Sequence, residues 1–169
     1  MVDRALPKDS KQYAELKKSL DAIGSRGDKN GVIVNFGETR TKGPMETFGK
    51  QITVDWKALD DGVALYQAAG YKTDAGVEAA AEAGHEGIHV TRPIHMSERN
   101  RWAIVDSVER EAYGVQSSVS EAGGSESVVW NNSWAKSADR ETLRQNAVKE
   151  AARQSVDTSR QYHEGRKEP

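Results

Sequence analysis

Residues 74–92 read DAGVEAAAEAGHEGIHVTR and contain the pentapeptide HEGIH at positions 85–89. The stretch is rich in alanine, which favours an α-helix, and Pro93 prevents the helix from continuing smoothly. Residues four apart on a helix are separated by about 40° around the axis and about 6 Å along it. We therefore predict that His85 and His89 project from one face of a central helix, one turn apart.

The spacing of the two histidines suits a shared metal ion. Two imidazoles one turn apart can bind one ion at about 2.0–2.1 Å from each nitrogen. Glu86 is offset from His85 by about 100° around the helix and can reach a metal-bound water without occupying the metal. The metal lowers the pKa of this water towards about 7, so the carboxylate can take its proton and later pass it to a leaving amine. The pentapeptide therefore predicts a zinc-dependent hydrolase with Glu86 as the general base.

Two glycines, Gly84 and Gly87, interrupt the alanine-rich helix. Each weakens a helix by about 1 kcal/mol relative to alanine. We expect them to leave room beside the metal for a substrate or for a neighbouring backbone.

The composition of the chain limits the classes of function. The 169 residues suit one domain over 1–169, with 36% hydrophobic and 30% charged residues and a frayed tail from about 164. The formal net charge of -2 gives no basic field for binding nucleic acid. No apolar run is long enough to span a membrane, and the N-terminus lacks the core of a signal peptide. Because the chain has no cysteine, any zinc must be held by histidine and carboxylate.

The spacing of apolar residues predicts an α+β domain, with a small sheet packed on several helices. Residues 31–37 form a mostly buried strand, whereas Ile52, Val54 and Trp56 alternate as in a half-buried strand at a sheet edge. The first helix carries its apolar side chains on one stripe, made of Tyr13, Leu16, Leu20 and Ile23. The predicted helices cover 10–23, 59–69, 74–92, 97–118 and 137–158; the strands cover 31–37 and 51–56, with a loop or hairpin connection over 38–50.

A third metal ligand is required, and His95 is one candidate. It follows His89 by six residues, which matches the spacing HExxHxxGxxH. However, Arg92 stands where that pattern needs a glycine for a sharp turn, and no methionine follows Met96 to form the turn expected downstream. The last histidine, His163, lies in a charged tail and is assigned no role.

A glutamate on the next helix is the favoured third ligand. That helix places Glu109 in the middle of an apolar stripe, where an unpaired carboxylate would be costly and a metal ion would satisfy it. The small Ala112, one turn later, would let the two helices approach closely. Glu111 lies one register away, nearer the polar side, and remains an alternative. The stripe consists of Trp102, Val105, Glu109, Ala112 and Gln116.

The two motifs together resemble the gluzincin class of zinc peptidases, in which HExxH is followed by Glu-x-x-Ala on the next helix. More narrowly, HEGIH with EREAYGVQ at 109–116 is similar to the small metallopeptidase domains of bacterial Rhs-type polymorphic toxins, which are type VI secretion effectors. The segment Trp130-Asn-Asn-Ser-Trp134 also resembles these toxin domains. The resemblance implies a zincin-like fold, a zinc ion and Glu109 as a ligand. Tyr113 replaces an aspartate that orients a ligand histidine in the class, so other residues must support that histidine.

The same resemblance implies a place of action and partners. Such domains are released from a larger carrier polypeptide, are delivered without a signal peptide into the cytoplasm of a target cell, and are neutralised by a cognate immunity protein. Without delivery, the chain would be expected to stay in the cytoplasm of the cell that makes it.

Further residues are candidates for the cleft around the metal. The strand Ile52–Trp56 could bind an extended substrate by strand addition. Tyr113 could donate a hydrogen bond to a tetrahedral oxyanion, and Trp130 and Trp134 could line the cleft.

The sequence therefore predicts a zinc endopeptidase that cleaves a protein or peptide substrate. Two other interpretations remain open. The chain could be a non-catalytic binding or structural module with a degenerate motif, or a zinc amidase that acts on cell-wall peptide.

Overall fold

The computed structural model describes residues 7–25, 27–93, 101–126 and 140–164. Within these ranges the chain forms five helices and a three-stranded sheet, which confirms the predicted α+β class. No helix in the described ranges is long and apolar enough to cross a membrane. In chain order the elements are α1 (Lys11–Ile23), β1 (Ile33–Phe36), β2 (Met45–Phe48), β3 (Gln51–Val54), α2 (Trp56–Ala68), α3 (Ala75–Thr91), α4 (Arg101–Ala122) and α5 (Arg140–Glu164).

Helix α3, which carries HEGIH, is the central element, as predicted. It packs against α1, α2, α4 and strand β2, and α5 packs against α4. Most of the buried apolar side chains between these helices are small or β-branched, so the helices lie close together. The core cluster consists of Leu16, Ala81, Ile88, Val108, Ala112, Val115 and Val119.

Side-chain caps fix where three of the helices begin. Ser10 Oγ accepts a hydrogen bond from the Tyr13 amide at the start of α1, and Asp74 caps α3 in the same way. Asp55 accepts from the Ala58 amide, so α2 begins at Trp56, three residues earlier than predicted. Such caps satisfy free amide groups of the first turn and each contributes about 1 kcal/mol.

The sheet has the strand order β1-β3-β2, with β1 parallel and β2 antiparallel to β3. The prediction that 51–56 lies at a sheet edge is therefore wrong, although Ile52 and Val54 are buried as the alternation predicted. The reason is that part of 38–50 is itself a strand. Its two-residue connection to β3 contains Gly49, whose φ of 64° suits glycine.

Strand β1 is exposed, so the prediction of a mostly buried strand over 31–37 is also wrong. Ile33, Val34 and Phe36 are 51%, 44% and 70% exposed. Helix α3 packs on the β2 side of the sheet, and β1 lies at the opposite edge. Apolar composition predicted the strand correctly, but only the position of the helices determines which strand they cover.

Close approach to α3 decides which face of α1 is buried. A Cβ on Gly87 would lie 2.6 Å from the Ser19 carbonyl oxygen and closer still to its hydroxyl oxygen. Ser19 Oγ also donates a 2.6 Å hydrogen bond to the Gly84 carbonyl. Ser19 is therefore fully buried, whereas Leu20, predicted to be on the buried stripe, is 45% exposed. Gly87 therefore makes room for a neighbouring backbone, one of the two roles expected for the glycines, whereas Gly84 makes room for the side chains of Val115 and Leu16.

The last two helices extend further than predicted. Helix α4 ends at Ala122 rather than near Ser118, and α5 continues to Glu164 rather than ending near residue 158. A Cβ on Gly123 would lie less than 3 Å from Val77 of α3, so the chain turns where the two helices are in contact. Ser97, His95, Trp130, Trp134 and the tail 165–169 lie outside the described residues.

The close contact at Gly87 predicts a stability difference between two glycine substitutions. Gly87→Ala should lower the free energy of unfolding by about 1–3 kcal/mol, because overpacking against Ser19 outweighs the gain of about 1 kcal/mol in helix propensity. Gly62→Ala, on α2 where nothing lies within 4 Å of the added Cβ, should raise it by up to about 1 kcal/mol. Denaturant unfolding measures both. Equal stabilisation by the two substitutions would contradict the packing described here.

Candidate metal centre

Helix α3 presents two imidazoles on one face, as the sequence predicted. The Nε2 atoms of His85 and His89 lie 3.1 Å apart, and the ring centroids are separated by 4.9 Å. His85 is buried and His89 is half-buried. Burial, followed by the neighbouring His89, lowers the pKa of His85 well below its usual value, and burial lowers the pKa of His89 to about 4. Both rings are therefore neutral near pH 7, which is the form that binds a metal.

Helix α4 contributes a carboxylate to the same point. Glu109 Oε2 lies 3.6 Å from His85 Nε2, and Glu109 Oε1 lies 3.6 Å from His89 Nε2. One ligand atom from each of the three residues lies within 4.8 Å of the others. Donors bound to one tetrahedral zinc ion at about 2.0–2.2 Å are about 3.3–3.6 Å apart. The nitrogens lie 3.1 Å apart and each lies 3.6 Å from a different oxygen of Glu109, close to the separations expected around one such ion.

The state of Glu109 also fits a metal ligand. The residue is 6% exposed, and its Oε2 atom has no hydrogen-bond partner among the described residues. Burial raises the pKa of Glu109 to about 7, an effect opposed by hydrogen bonding with Ser155. A buried carboxylate next to two neutral imidazoles is costly, and a divalent cation would remove that cost. The three residues His85, His89 and Glu109 are called the ligand group below.

Ser155 is a neighbour of the ligand group that the sequence analysis missed. It lies on α5 and, as a hydrogen-bond partner, lowers the pKa of both Glu109 and Tyr113 against the larger effect of burial. The sequence analysis predicts a helix over 137–158 but assigns it no buried face. The apolar residues Ala152 and Val156 lie on either side of it at helical spacing, which could have indicated an internal face of α5. Both are buried in the structure.

Glu86 lies beside the ligand group and next to strand β2. It is 5% exposed, and its backbone carbonyl accepts a 3.4 Å hydrogen bond from Thr47 Oγ1. Burial raises the pKa of Glu86 to about 8; hydrogen bonding by Thr47 opposes this, and the charges of Glu109 and Glu46 add to it. A carboxyl group with a pKa near neutrality can both accept and return a proton.

Tyr113 packs directly on a proposed ligand. Its ring meets His85 edge-on, with centroids 4.5 Å apart and an interplanar angle of 75°. Burial, followed by the nearby carboxylates, raises the pKa of Tyr113, so its hydroxyl stays protonated near neutral pH. The residue is placed where it restrains the His85 ring, and its role as an oxyanion donor stays a prediction.

The remaining candidates fall elsewhere. Glu111 accepts a hydrogen bond from Arg92 and is not part of the ligand group. Trp56 lies at the start of α2 and lines an open cavity of about 550 Å³ together with Glu38 and Lys42. Because β3 is paired on both sides, it cannot take up a further strand, which corrects the assignment of Ile52–Trp56 to substrate binding. The edge strand that packs against α3 is β2. His95, Trp130 and Trp134 lie outside the described residues.

Comparisons with protein-family models, with curated proteins and with solved structures found no match to this chain. The function proposed below is therefore inferred from the residues of the site and from the sequence motifs.

The geometry predicts which of two nearby glutamates is needed for metal binding. Glu109→Ala should lower the zinc content, measured by elemental analysis after dialysis, well below about one ion per chain, because it removes one of three ligands. Glu111 lies on the same helix but is paired with Arg92, so Glu111→Ala should leave the zinc content unchanged. If Glu109→Ala retains its zinc, the third ligand must be sought at His95 or Glu111 instead.

The buried carboxyl groups predict a pH dependence of the metal-free protein. Burial raises the pKa values of Glu82 and Glu86 to about 8 and that of Glu109 to about 7. Above pH 6.5 these groups bind more protons in the folded than in the unfolded chain, whose glutamates are ionised. His85 and His89, which are half protonated at pH 6.5 only in the unfolded chain, offset part of this difference at the lower end of the range. The free energy of unfolding should therefore fall as the pH rises from 6.5 to 8, by up to about 1.4 kcal/mol per pH unit for each group.

Denaturant unfolding in the presence of a chelator, at several pH values between 6.5 and 8, measures this slope. The variant Glu82→Gln should show a shallower slope, because one of the titrating groups is gone. A stability that is constant or rises over this range would contradict the prediction.

Proposed function

We propose that the protein is a zinc-dependent endopeptidase, with His85, His89 and Glu109 as the metal ligands and Glu86 as the general base. The observation that carries the proposal is that three possible metal ligands from α3 and α4 lie close together, with a separate buried carboxyl group beside them. Two nitrogen ligands and one carboxylate form a donor set typical of catalytic zinc. The alternative of a degenerate, non-catalytic motif leaves this buried arrangement without a cause.

The bound metal would supply Lewis-acid chemistry, polarising a carbonyl group and lowering the pKa of water. The protein supplies the proton transfers. Glu86 takes a proton from the attacking water onto a carboxylate oxygen and returns it to the leaving amine nitrogen. Burial raises the pKa of Glu86 to about 8 in the metal-free chain, against the effect of Thr47. A bound cation nearby would lower this pKa and favour the carboxylate form that accepts the proton.

An edge strand beside the site supports a peptide substrate. Strand β2 packs against α3, and its Thr47 is in contact with Glu86. Among the described strands, β2 pairs only with β3, so its other edge can bind the backbone of an extended polypeptide. A substrate bound there would run past Glu86, which favours cleavage within a chain over cleavage of a small molecule.

By resemblance of HEGIH and EREAYGVQ, we further propose that the domain acts as an interbacterial toxin. It would be part of a larger carrier, would be delivered into the cytoplasm of a target cell, and would be inhibited by an immunity protein. The support for this role as a toxin is the motif resemblance alone.

Glu86→Gln tests the proposed chemistry. The variant should bind zinc as the wild type does but cleave at least about 100-fold more slowly, because the amide cannot accept the proton. Both proteins are expressed in cells, and new peptide termini are identified across the proteome; purified protein is then assayed on the peptides found. Glu111→Gln serves as the matched control and should behave as the wild type.

New termini should appear with the wild type and with the control but not with Glu86→Gln. Cleavage by Glu86→Gln at the wild-type rate would overturn the role of Glu86. Zinc binding without any new protein terminus, combined with release of cell-wall peptides, would favour the amidase interpretation instead.

A further inference from the structure

The His85 ring has a second nitrogen that the ligand group does not use. Its Nε2 atom faces His89 and Glu109, which leaves Nδ1 to contact the rest of the protein. Nδ1 is buried and has no hydrogen-bond partner among the described residues. An imidazole that binds a metal through Nε2 carries its proton on Nδ1, and a buried donor without an acceptor costs about 1–3 kcal/mol.

Gln116 is a polar side chain one helical turn from the contact between Tyr113 and the His85 ring. It follows Tyr113 by three residues on α4, and its hydrogen-bond partner Glu82 precedes His85 by three residues on α3, so the amide lies on the face of α4 that meets the ring. The opposing effect of Gln116 on the lowered pKa of His85 agrees with this placement. Gln116 Nε2 donates a 2.5 Å hydrogen bond to Glu82 Oε1, so its amide oxygen is left for another donor. That oxygen is buried and also lacks a partner among the described residues.

The unpaired donor and the unpaired acceptor complement each other. Tyr113, the other neighbour of the ring, meets it edge-on, and the hydrogen-bond partner of its hydroxyl is Ser155. A hydrogen bond from His85 Nδ1–H to Gln116 Oε1 would give both atoms a partner. With the amide reversed, its NH₂ group would face Nδ1 and would move the ring proton to Nε2, the atom needed for the metal.

We propose that Gln116 is a positioning residue for His85: its amide oxygen accepts a hydrogen bond from His85 Nδ1–H, and Glu82 holds the amide in that orientation. The inference rests on the proposed metal centre. It assigns a reason for a half-buried glutamate and glutamine that are hydrogen-bonded between α3 and α4, one turn from the ligand group. It also supplies the support for His85 that the tyrosine at position 113 cannot give.

Metal affinity tests the proposal directly. The zinc dissociation constant is measured by competition with a chromophoric chelator for the wild type, for Q116L and for S118A. Q116L should bind zinc about 10- to 100-fold more weakly, the usual effect of removing a group that orients a ligand histidine. S118A removes a buried hydroxyl of the same helix, bonded to the Gly114 carbonyl, and should bind as the wild type does.

A reciprocal exchange tests whether zinc binding needs an acceptor at position 116. In the double variant E82Q/Q116E the donor and the acceptor change places, while a carboxylate oxygen still faces His85. This variant should bind zinc within a few-fold of the wild type, because it keeps both that acceptor and the hydrogen bond between positions 82 and 116. If Q116L does not fold, the double variant alone decides: weakened zinc binding in a folded E82Q/Q116E overturns the proposal.

The tautomer of His85 can be read in the unmodified protein. Nitrogen-15 NMR of the metal-free and the zinc-bound wild type should show the proton of His85 on Nδ1 in both. A proton on Nε2 in the metal-free protein would overturn the proposal, because Gln116 would then not select the ring form. If the wild type binds no zinc, the proposed function fails together with this inference. If it binds zinc and Q116L binds equally well, only this inference fails.

Discussion

The site depends on a single antiparallel register between α3 and α4. Four pairs of side chains follow this register: Glu78 with Ser120, Glu82 with Gln116, His85 with Tyr113, and His89 with Glu109. The residues on α3 are spaced by four, three and four positions, and their partners on α4 are spaced by the same steps in the opposite direction. These steps return to one face of a helix, so the four pairs form one continuous seam. A shift of one turn would separate Glu109 from both histidines.

The seam is unusual because it is polar in the interior of the domain. Small side chains on either side of it, such as Ala81 and Ala112, bring the helices close enough for direct contact between polar groups. Glycines on α3 do the same for α1, whose Ser19 packs on the opposite side. The interior is therefore closely packed where the ligand atoms meet, and the cost of burying several ionisable groups is concentrated at one point. That concentration is typical of sites that bind a cation or transfer protons.

The sequence predicted which site residues share a face of α3 or of α4, but it predicted few of the contacts between distant segments. Helical spacing was enough to place His85, Glu86 and His89 on α3 and Glu109 on the facing stripe of α4, because amphipathic periodicity reports which side of a helix is internal. It failed for Leu20 and for β1, where burial depends on which neighbouring element lies opposite. It also missed β2, since Glu46 and Thr47 interrupt the apolar pattern although Thr47 contacts the metal helix. Ser155 and the pairing of Gln116 with Glu82 depend on contacts between distant segments, which no local pattern encodes.

The position of Ser155 on the last described helix has a consequence for the order in which the site is completed. A ribosome makes the chain from the N-terminus, so the two histidines and then Glu109 emerge well before the residue that hydrogen-bonds with that glutamate. The carboxylate and Tyr113 acquire their full surroundings only after α5 has docked on α4. Assembly of the site is therefore a late event in the synthesis of this domain, tied to the folding of its C-terminal segment.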